Sequence, residues 1–176
     1  MILETERLIL SPVTHEDADL IYPVMADPEV MAHMDVDAMD DADQILAFVE
    51  GQVGEMERDE AFYWSVRLSP AAGGEAGLYL GSVDLSDIDW RHHRAEVGFV
   101  MSRPAWGQGY GYEAMQAVLS HAASLGIKRL WARTHIGNNA SEKLLTKLGF
   151  EIEGYLKGHV DRDGDRRDCR LWGLLL

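Results

Sequence analysis

The chain carries a single cysteine, Cys169, in 176 residues. No internal disulfide can form, which fits a reducing compartment. Basic residues are also in short supply. Sixteen Lys and Arg stand against thirty Asp and Glu, for a net charge of −14. A field of that sign repels phosphate backbones and argues against nucleic acid as a partner; it would attract a cationic substrate such as an amine, while plain solubility accounts for it equally well. No apolar run approaches the roughly 18 residues of a membrane span, so no membrane partner is expected. The opening Met1-Ile2-Leu3-Glu4-Thr5-Glu6-Arg7 lacks the basic and apolar regions of a signal peptide. Together these absences predict a cytoplasmic protein. The seven histidines are scattered, and the adjacent His92 and His93 would point to opposite faces of a strand. No metal cluster is expected from them.

What is present is ordinary for a globular chain: 47% apolar and 26% charged residues. Five Trp and six Tyr set it apart from disordered sequences. The length predicts one domain over residues 1–176, long enough to hide roughly 70% of its extended surface without staples.

Hydrophobic patterning divides the chain further. Arg7 to Val13 reads as a first strand, and Thr14 with Asp17 forms a variant capping box ahead of the stripe Leu20, Ile21, Val24. Ile45, Phe48, Val49, Val53 and Met56 recur at helical spacing, although Gly51 and Gly54 weaken that helix. Phe62–Leu68 and Leu78–Leu85 read as a hairpin around a Pro/Gly-rich turn, and Arg94–Met101 as a further strand. A helix from about Tyr110 to Leu125 is closed by Gly126, and one from Asn138 to Leu148 by Gly149, with the strand Arg129–His135 between them. The chain then ends in a hairpin turning at Asp163-Gly164. The order β-α-α-β-β-β-α-β-α-β-β predicts an α+β fold, a mixed sheet with helices on both faces.

The strongest local signal is Trp106-Gly107-Gln108-Gly109-Tyr110-Gly111-Tyr112, where a strand runs through three glycines into a helix. Glycine lets backbone approach a ligand closely, and the helix start offers unpaired N–H groups with the positive end of a dipole. That combination suits a pyrophosphate. The spacing G-x-G-x-G matches neither dinucleotide nor P-loop fingerprints, which disfavours a nucleotide-binding protein. A purely structural turn is the alternative. Further on, Asn138-Asn139-Ala140-Ser141 opens a helix with capping residue types, and plain helix initiation accounts for them equally well. Asp161-Arg162-Asp163-Gly164-Asp165 mimics a calcium loop, but Arg166 and Trp172 fall where Gly and Glu would be needed. Trp90 to Arg94 is locally basic and could touch substrate, although a solvated loop is the preferred reading.

Taken in order, Thr5-Glu6-Arg7-Leu8-Ile9-Leu10, Gly81-Ser82-Val83, Ala95-Glu96-Val97-Gly98-Phe99, the Trp106–Ala114 loop, Asn138-Asn139-Ala140-Ser141 and Leu148-Gly149-Phe150-Glu151 resemble the GNAT acetyltransferases over nearly the whole chain. The subgroup resembled is that of the bacterial ribosomal-protein N-terminal acetyltransferases. The resemblance implies a GNAT fold with a mostly antiparallel sheet and a splayed strand pair. It implies acetyl-CoA as co-substrate, with no metal, and transfer of the acetyl group to a primary amine by direct attack. Trp106 stands where the family's loop pattern has Gln or Arg, a mark of the subgroup. By the same resemblance, Trp106, Gly107, Gln108, Gly109, Tyr110, Gly111 and Tyr112 would hold the CoA pyrophosphate. Val100 and Met101 would pair with the pantetheine arm, with an oxyanion donor near Met101. Asn138 and Ser141 would lie near the thioester, Ser141 protonating the thiolate, although its alternative role is a second capping hydroxyl. Glu96 would take the amine's proton through an ordered water; its alternative role is an ion pair with Arg94 or Arg67. A protein N-terminal amine is the expected acceptor, with a small amine such as an antibiotic or polyamine, or a non-catalytic acyl-CoA-binding module, as the alternatives. A monomer or homodimer is the expected assembly.

Overall fold

The computed structural model describes all 176 residues. Its strands are β1 (Leu3–Glu4), β2 (Leu8–Pro12), β3 (Phe62–Leu68), β4 (Tyr79–Asp89), β5 (Arg94–Met101), β6 (Arg129–His135), β7 (Glu151–Arg162) and β8 (Asp165–Leu175). Its α-helices are α1 (Ala18–Met25), α2 (Ala42–Glu57), α3 (Tyr110–Ser124) and α4 (Asn139–Lys147). All eight strands form one sheet in the order β1-β2-β3-β4-β5-β6-β8-β7. Every pair is antiparallel except β5 with β6, which run parallel.

The two faces bury separate apolar sets. On one, Leu10, Val66, Val83, Leu85 and Val97 pack with Met115 and Val118 of α3 and Leu145 of α4. On the other, Ile21 and Val24 of α1 and Ile45 and Val49 of α2 pack beside Tyr63, Tyr79 and Val100. Alternation along the strands sends each residue to its side, so β5 gives Val97 and Met101 to the α3 layer and Val100 to the α1–α2 layer. The α+β expectation holds, with helices on both faces.

Local differences from the sequence reading have physical causes. Thr14 does form a capping box with Asp17, but over a 3-10 turn, His15–Asp17, that runs on into α1. α2 survives Gly51 and Gly54 because Asp41 caps it by accepting the Asp43 N–H at 2.8 Å, and buried Ile45 and Val49 fix its inner face. β4 continues past Leu85 to Asp89, and a two-residue β1 precedes the expected first strand. At the β7–β8 turn Asp163 and Gly164 both have positive φ, 49° and 85°. That pattern belongs to a tight two-residue hairpin turn.

Candidate active site

The ladder between β5 and β6 runs only from Arg94↔Arg129 to Glu96↔Trp131 and then stops. β6 goes on to His135, bound instead to β8. From Val97 onward β5 therefore has a free edge, and the two strands splay. Which backbone groups line that edge follows from the other neighbour. Ser102 N–H donates to Leu80 C=O at 2.9 Å, and the β4–β5 register is unbroken from Gly81↔Met101 to Ser86↔Glu96. Polar backbone groups alternate along a strand, so Val100 and Gly98 turn theirs toward β4. Phe99 and Met101 turn theirs into the gap. The Met101 carbonyl is already taken, because the Trp106 indole N–H donates to it at 2.7 Å. Phe99 and Met101 N–H remain as gap-facing donors, while Val100 contributes its side chain to the α1–α2 layer.

β5 runs through a single 3-10 turn, Arg103–Ala105, into the glycine loop. Gly109 caps α3 in the left-handed region at φ 79°, with no side-chain cap. The N–H groups of Gly107 to Tyr112 find no backbone acceptor. Fixed donors at the positive end of a 15-residue helix suit an anion. Gly111 serves closeness instead: a Cβ there would stand 3.2 Å from Leu144 of α4 and 3.5 Å from Met101. It brings the loop against both the free edge and α4.

Asn138 caps α4 by accepting the Ser141 N–H at 3.2 Å. Ser141 sits in the first turn, half-buried, and its hydroxyl makes no hydrogen bond within the chain. Capping here belongs to Asn138, which leaves the Ser141 hydroxyl available.

Glu96 points to the α1–α2 side. Its partner is neither Arg94, which faces Asp89 at 3.5 Å, nor Arg67, which is paired with Asp17. It accepts instead from Arg133 Nε at 2.9 Å, from the neighbouring strand across the gap. Burial raises the Glu96 carboxyl above its usual range, and Arg133 offsets that only in part. Arg133 also meets Asp35 at 3.3 Å, which in turn binds His135 Nε2 at 2.9 Å. Glu96 also lines a cavity of about 800 Å³ with Glu55, Tyr63, Ser86, Asp87 and Trp90. Trp90 thus forms a wall and is not merely part of a solvated loop.

The pattern of residues 7–151 is that of the acetyltransferase (GNAT) domain. The chain belongs to the GNAT acetyltransferase family. It is accordingly an acetyl-CoA-dependent N-acetyltransferase. Among its relatives is the uncharacterised N-acetyltransferase p20 of Bacillus licheniformis, 30% identical over 98% of this chain and 95% of that protein. The fold matches an apo crystal structure of RimL, a ribosomal L7/L12 alpha-N-protein acetyltransferase, with a TM-score of 0.87, 18% identity, and 100% and 94% of the two chains covered. It also matches spermidine N-acetyltransferase from Vibrio cholerae, solved with CoA and spermine, at a TM-score of 0.83, 17% identity, and coverage of 97% and 96%.

One residue in contact with this GNAT loop was not singled out as functional in the sequence. Arg7 donates from Nη1 to Gln108 C=O at 3.1 Å, and its guanidinium lies 4.7 Å over the Tyr110 ring. Glu113, in the first turn of α3, binds the Arg7 N–H at 2.8 Å and Nε at 2.6 Å, and Thr5 Oγ1 at 2.6 Å. Burial would raise the Glu113 carboxyl, but these hydrogen bonds outweigh it and hold it low. Arg7 thus holds the carbonyl of a loop whose own N–H groups have no backbone acceptor. Arg7→Ala is expected to weaken acetyl-CoA binding about tenfold in a calorimetric titration, roughly 1.4 kcal/mol. Arg7→Lys should recover little, because an ammonium cannot reproduce the fork that spans Glu113 and Gln108. Unchanged affinity in Arg7→Ala would remove Arg7 from the loop's support.

Proposed function

We propose that this protein acetylates a protein or peptide N-terminal amine by direct attack within a ternary complex. The observation that carries the reading is the placement of Glu96. It sits at the inner end of the β5–β6 gap, with a raised pKa, and at the same time in the wall of a cavity rich in carboxylates. In this reading the CoA pyrophosphate lies on the N–H groups from Gln108 to Tyr112, and the pantetheine amides add to the free β5 edge as an extra strand. The thioester carbonyl then faces Phe99 and Met101 N–H, which are placed to hold its developing oxyanion.

The amine nitrogen bonds to the thioester carbon as the C–S bond breaks. Glu96 orders the water that draws one proton from the nitrogen, and the Ser141 hydroxyl supplies a proton to the thiolate. Direct attack is favoured over an acyl-enzyme because the only thiol, Cys169, is buried in β8 and burial pushes its pKa up. A buried free cysteine also suits a cytoplasmic setting. A small polyamine is the second reading. Five carboxylates, Glu55, Asp59, Glu60, Asp87 and Glu96, against the single guanidinium of Arg58 would hold a second positive charge on the acceptor.

An acceptor panel of N-terminal peptides and of di- and polyamines, assayed with acetyl-CoA, separates the two. Preference for peptides supports the first, and turnover confined to polyamines overturns it in favour of the second. On whichever acceptor is used, Glu96→Gln is expected to lower kcat about 100-fold while acetyl-CoA affinity stays unchanged. Unchanged kcat at saturating substrate would remove Glu96 from the chemistry.

A further inference from the structure

Glu96 is tied to Arg133 and is thereby suited to ordering a water more than to keeping a proton. A second carboxyl lies on the same face. Asp84 of β4 stands opposite Gly98 of β5, two register positions from the pair Ser86↔Glu96, which brings the two acidic side chains to diagonal positions on one face. Its placement depends on a glycine. A Cβ at residue 98 would stand 2.5 Å from Asp84 Oδ1 and 3.1 Å from its Cγ, so the carboxyl lies directly over the Gly98 backbone of β5. The other oxygen, Oδ2, accepts from Ser86 Oγ at 2.9 Å, and Ser86 lines the cavity. Asp84 therefore touches β5 where its edge is free and connects through one hydroxyl to open solvent.

We propose that Asp84 is the terminal acceptor of the proton that leaves the attacking amine. The proposal rests on the transferase reading above and deepens it. The nitrogen of the ammonium loses one proton through the water held by Glu96 to the Asp84 carboxylate. The N–C bond forms, the C–S bond breaks, the Ser141 hydroxyl gives its proton to the departing thiolate, and the second nitrogen proton passes to the Ser141 oxygen and restores the hydroxyl. Asp84 then returns its proton to solvent by way of Ser86. The electrostatics suit the role. Burial first, then the charges of Glu96 and Glu55, push the Asp84 pKa up to about 7 against the opposing hydrogen bond from Ser86. The titratable groups that face it are Tyr63 on β3, Glu55 on α2 and Glu96 on β5, with Arg133 of β6 acting through Glu96. No cation pairs with it directly.

The test is the pH dependence of kcat in wild type, Asp84→Asn, Glu96→Gln and Gly98→Ala. Acetyl-CoA titration and a thermal melt serve as controls of folding. Wild-type kcat is expected to rise with pH through about 7. Asp84→Asn should lose about 100-fold in kcat and the whole acid limb, with acetyl-CoA affinity within twofold. Glu96→Gln should be slow yet keep the limb, moved to lower pH because the Glu96 charge helps raise the Asp84 carboxyl. Gly98→Ala, which displaces the carboxyl without removing it, should shift the limb and lower kcat. Asp84→Asn with wild-type kcat and limb would overturn the proposal and leave the transferase reading standing, as would a limb that vanishes in Glu96→Gln instead. If Asp84→Asn does not fold, Gly98→Ala decides, and an unmoved limb there overturns it. Absence of wild-type turnover on every amine would overturn the transferase reading and this proposal with it.

Discussion

Gly109→Asp is expected to abolish acetyl-CoA binding in a calorimetric titration without lowering the melting temperature. The two halves of that result have separate causes. Gly109 sits at φ 79° as the cap of α3, and aspartate is among the few side chains that enter the left-handed region at small cost. An aspartate there also sets a negative charge at the positive end of the helix dipole. Arg7 Nη2 lies 3.5 Å from where its Cβ would stand, so the new carboxylate would also gain a cation. Stability should therefore stay close to that of the wild type, the small dihedral cost being offset by these charges. Binding should fall because that carboxylate sets a negative charge where the proposed pyrophosphate site lies. A loss of at least about 100-fold, near 3 kcal/mol, is expected. ATP and NAD serve as controls, since neither should bind the wild type. Retention of acetyl-CoA affinity within tenfold would place the pyrophosphate elsewhere on the surface.

That prediction could be framed from sequence because glycine spacing and helix periodicity are local. The loop, both helices flanking β6 and the final hairpin were legible for the same reason: each is announced within about ten residues by caps, turns or alternation. Glu96 was visible as a carboxylate on an apolar strand. Its partner was not, since Arg133 lies 37 residues later and reaches it only because the chain crosses over through α3 before β6 lies down beside β5. Arg94 and Arg67 were nearer or more obvious cations, and both are spent on Asp89 and Asp17. The extension of β4 past Leu85 hid Ser86 from view, and with it the cavity wall. Asp84 was hidden differently. An acidic residue in a strand reads as a solvated face, and only the register Asp84↔Gly98 reveals that it lies over a glycine. Arg7 belonged to a legible motif, Thr5-Glu6-Arg7-Leu8, but its reach to Gln108 is a contact across 101 residues. Charges found by pairing partners distant in sequence are what a linear reading misses, because periodicity fixes the face of a side chain and not its neighbour.

The same register explains the second large effect, expected at Gly81. This glycine has φ 150° and lies where the β3–β4 ladder slips, Val66 pairing with Gly81 but Arg67 with Tyr79. A Cβ there would overlap the Val100 carbonyl oxygen outright and stand 2.9 Å from Met101 Cα. Neither obstacle is the flexible tip of a side chain, so the backbone of β4 or β5 must move. Gly81→Ala is expected to cost about 3 kcal/mol or more, through a strained dihedral and a broken ladder together. In a chain of this length that lowers the melting temperature by roughly 6 to 12 °C. The displacement falls on Val100 and Met101, so acetyl-CoA affinity should drop with it, although Gly81 itself faces no ligand site. Gly107→Ala is the comparison: it also has positive φ, 71°, but a Cβ there meets nothing within 4 Å. That variant should lose only the dihedral cost, about 1 kcal/mol. A melting temperature for Gly81→Ala within about 2 °C of wild type would mean that β4 and β5 can part without penalty. The free edge of β5 would then owe its position to the glycine loop and not to the sheet.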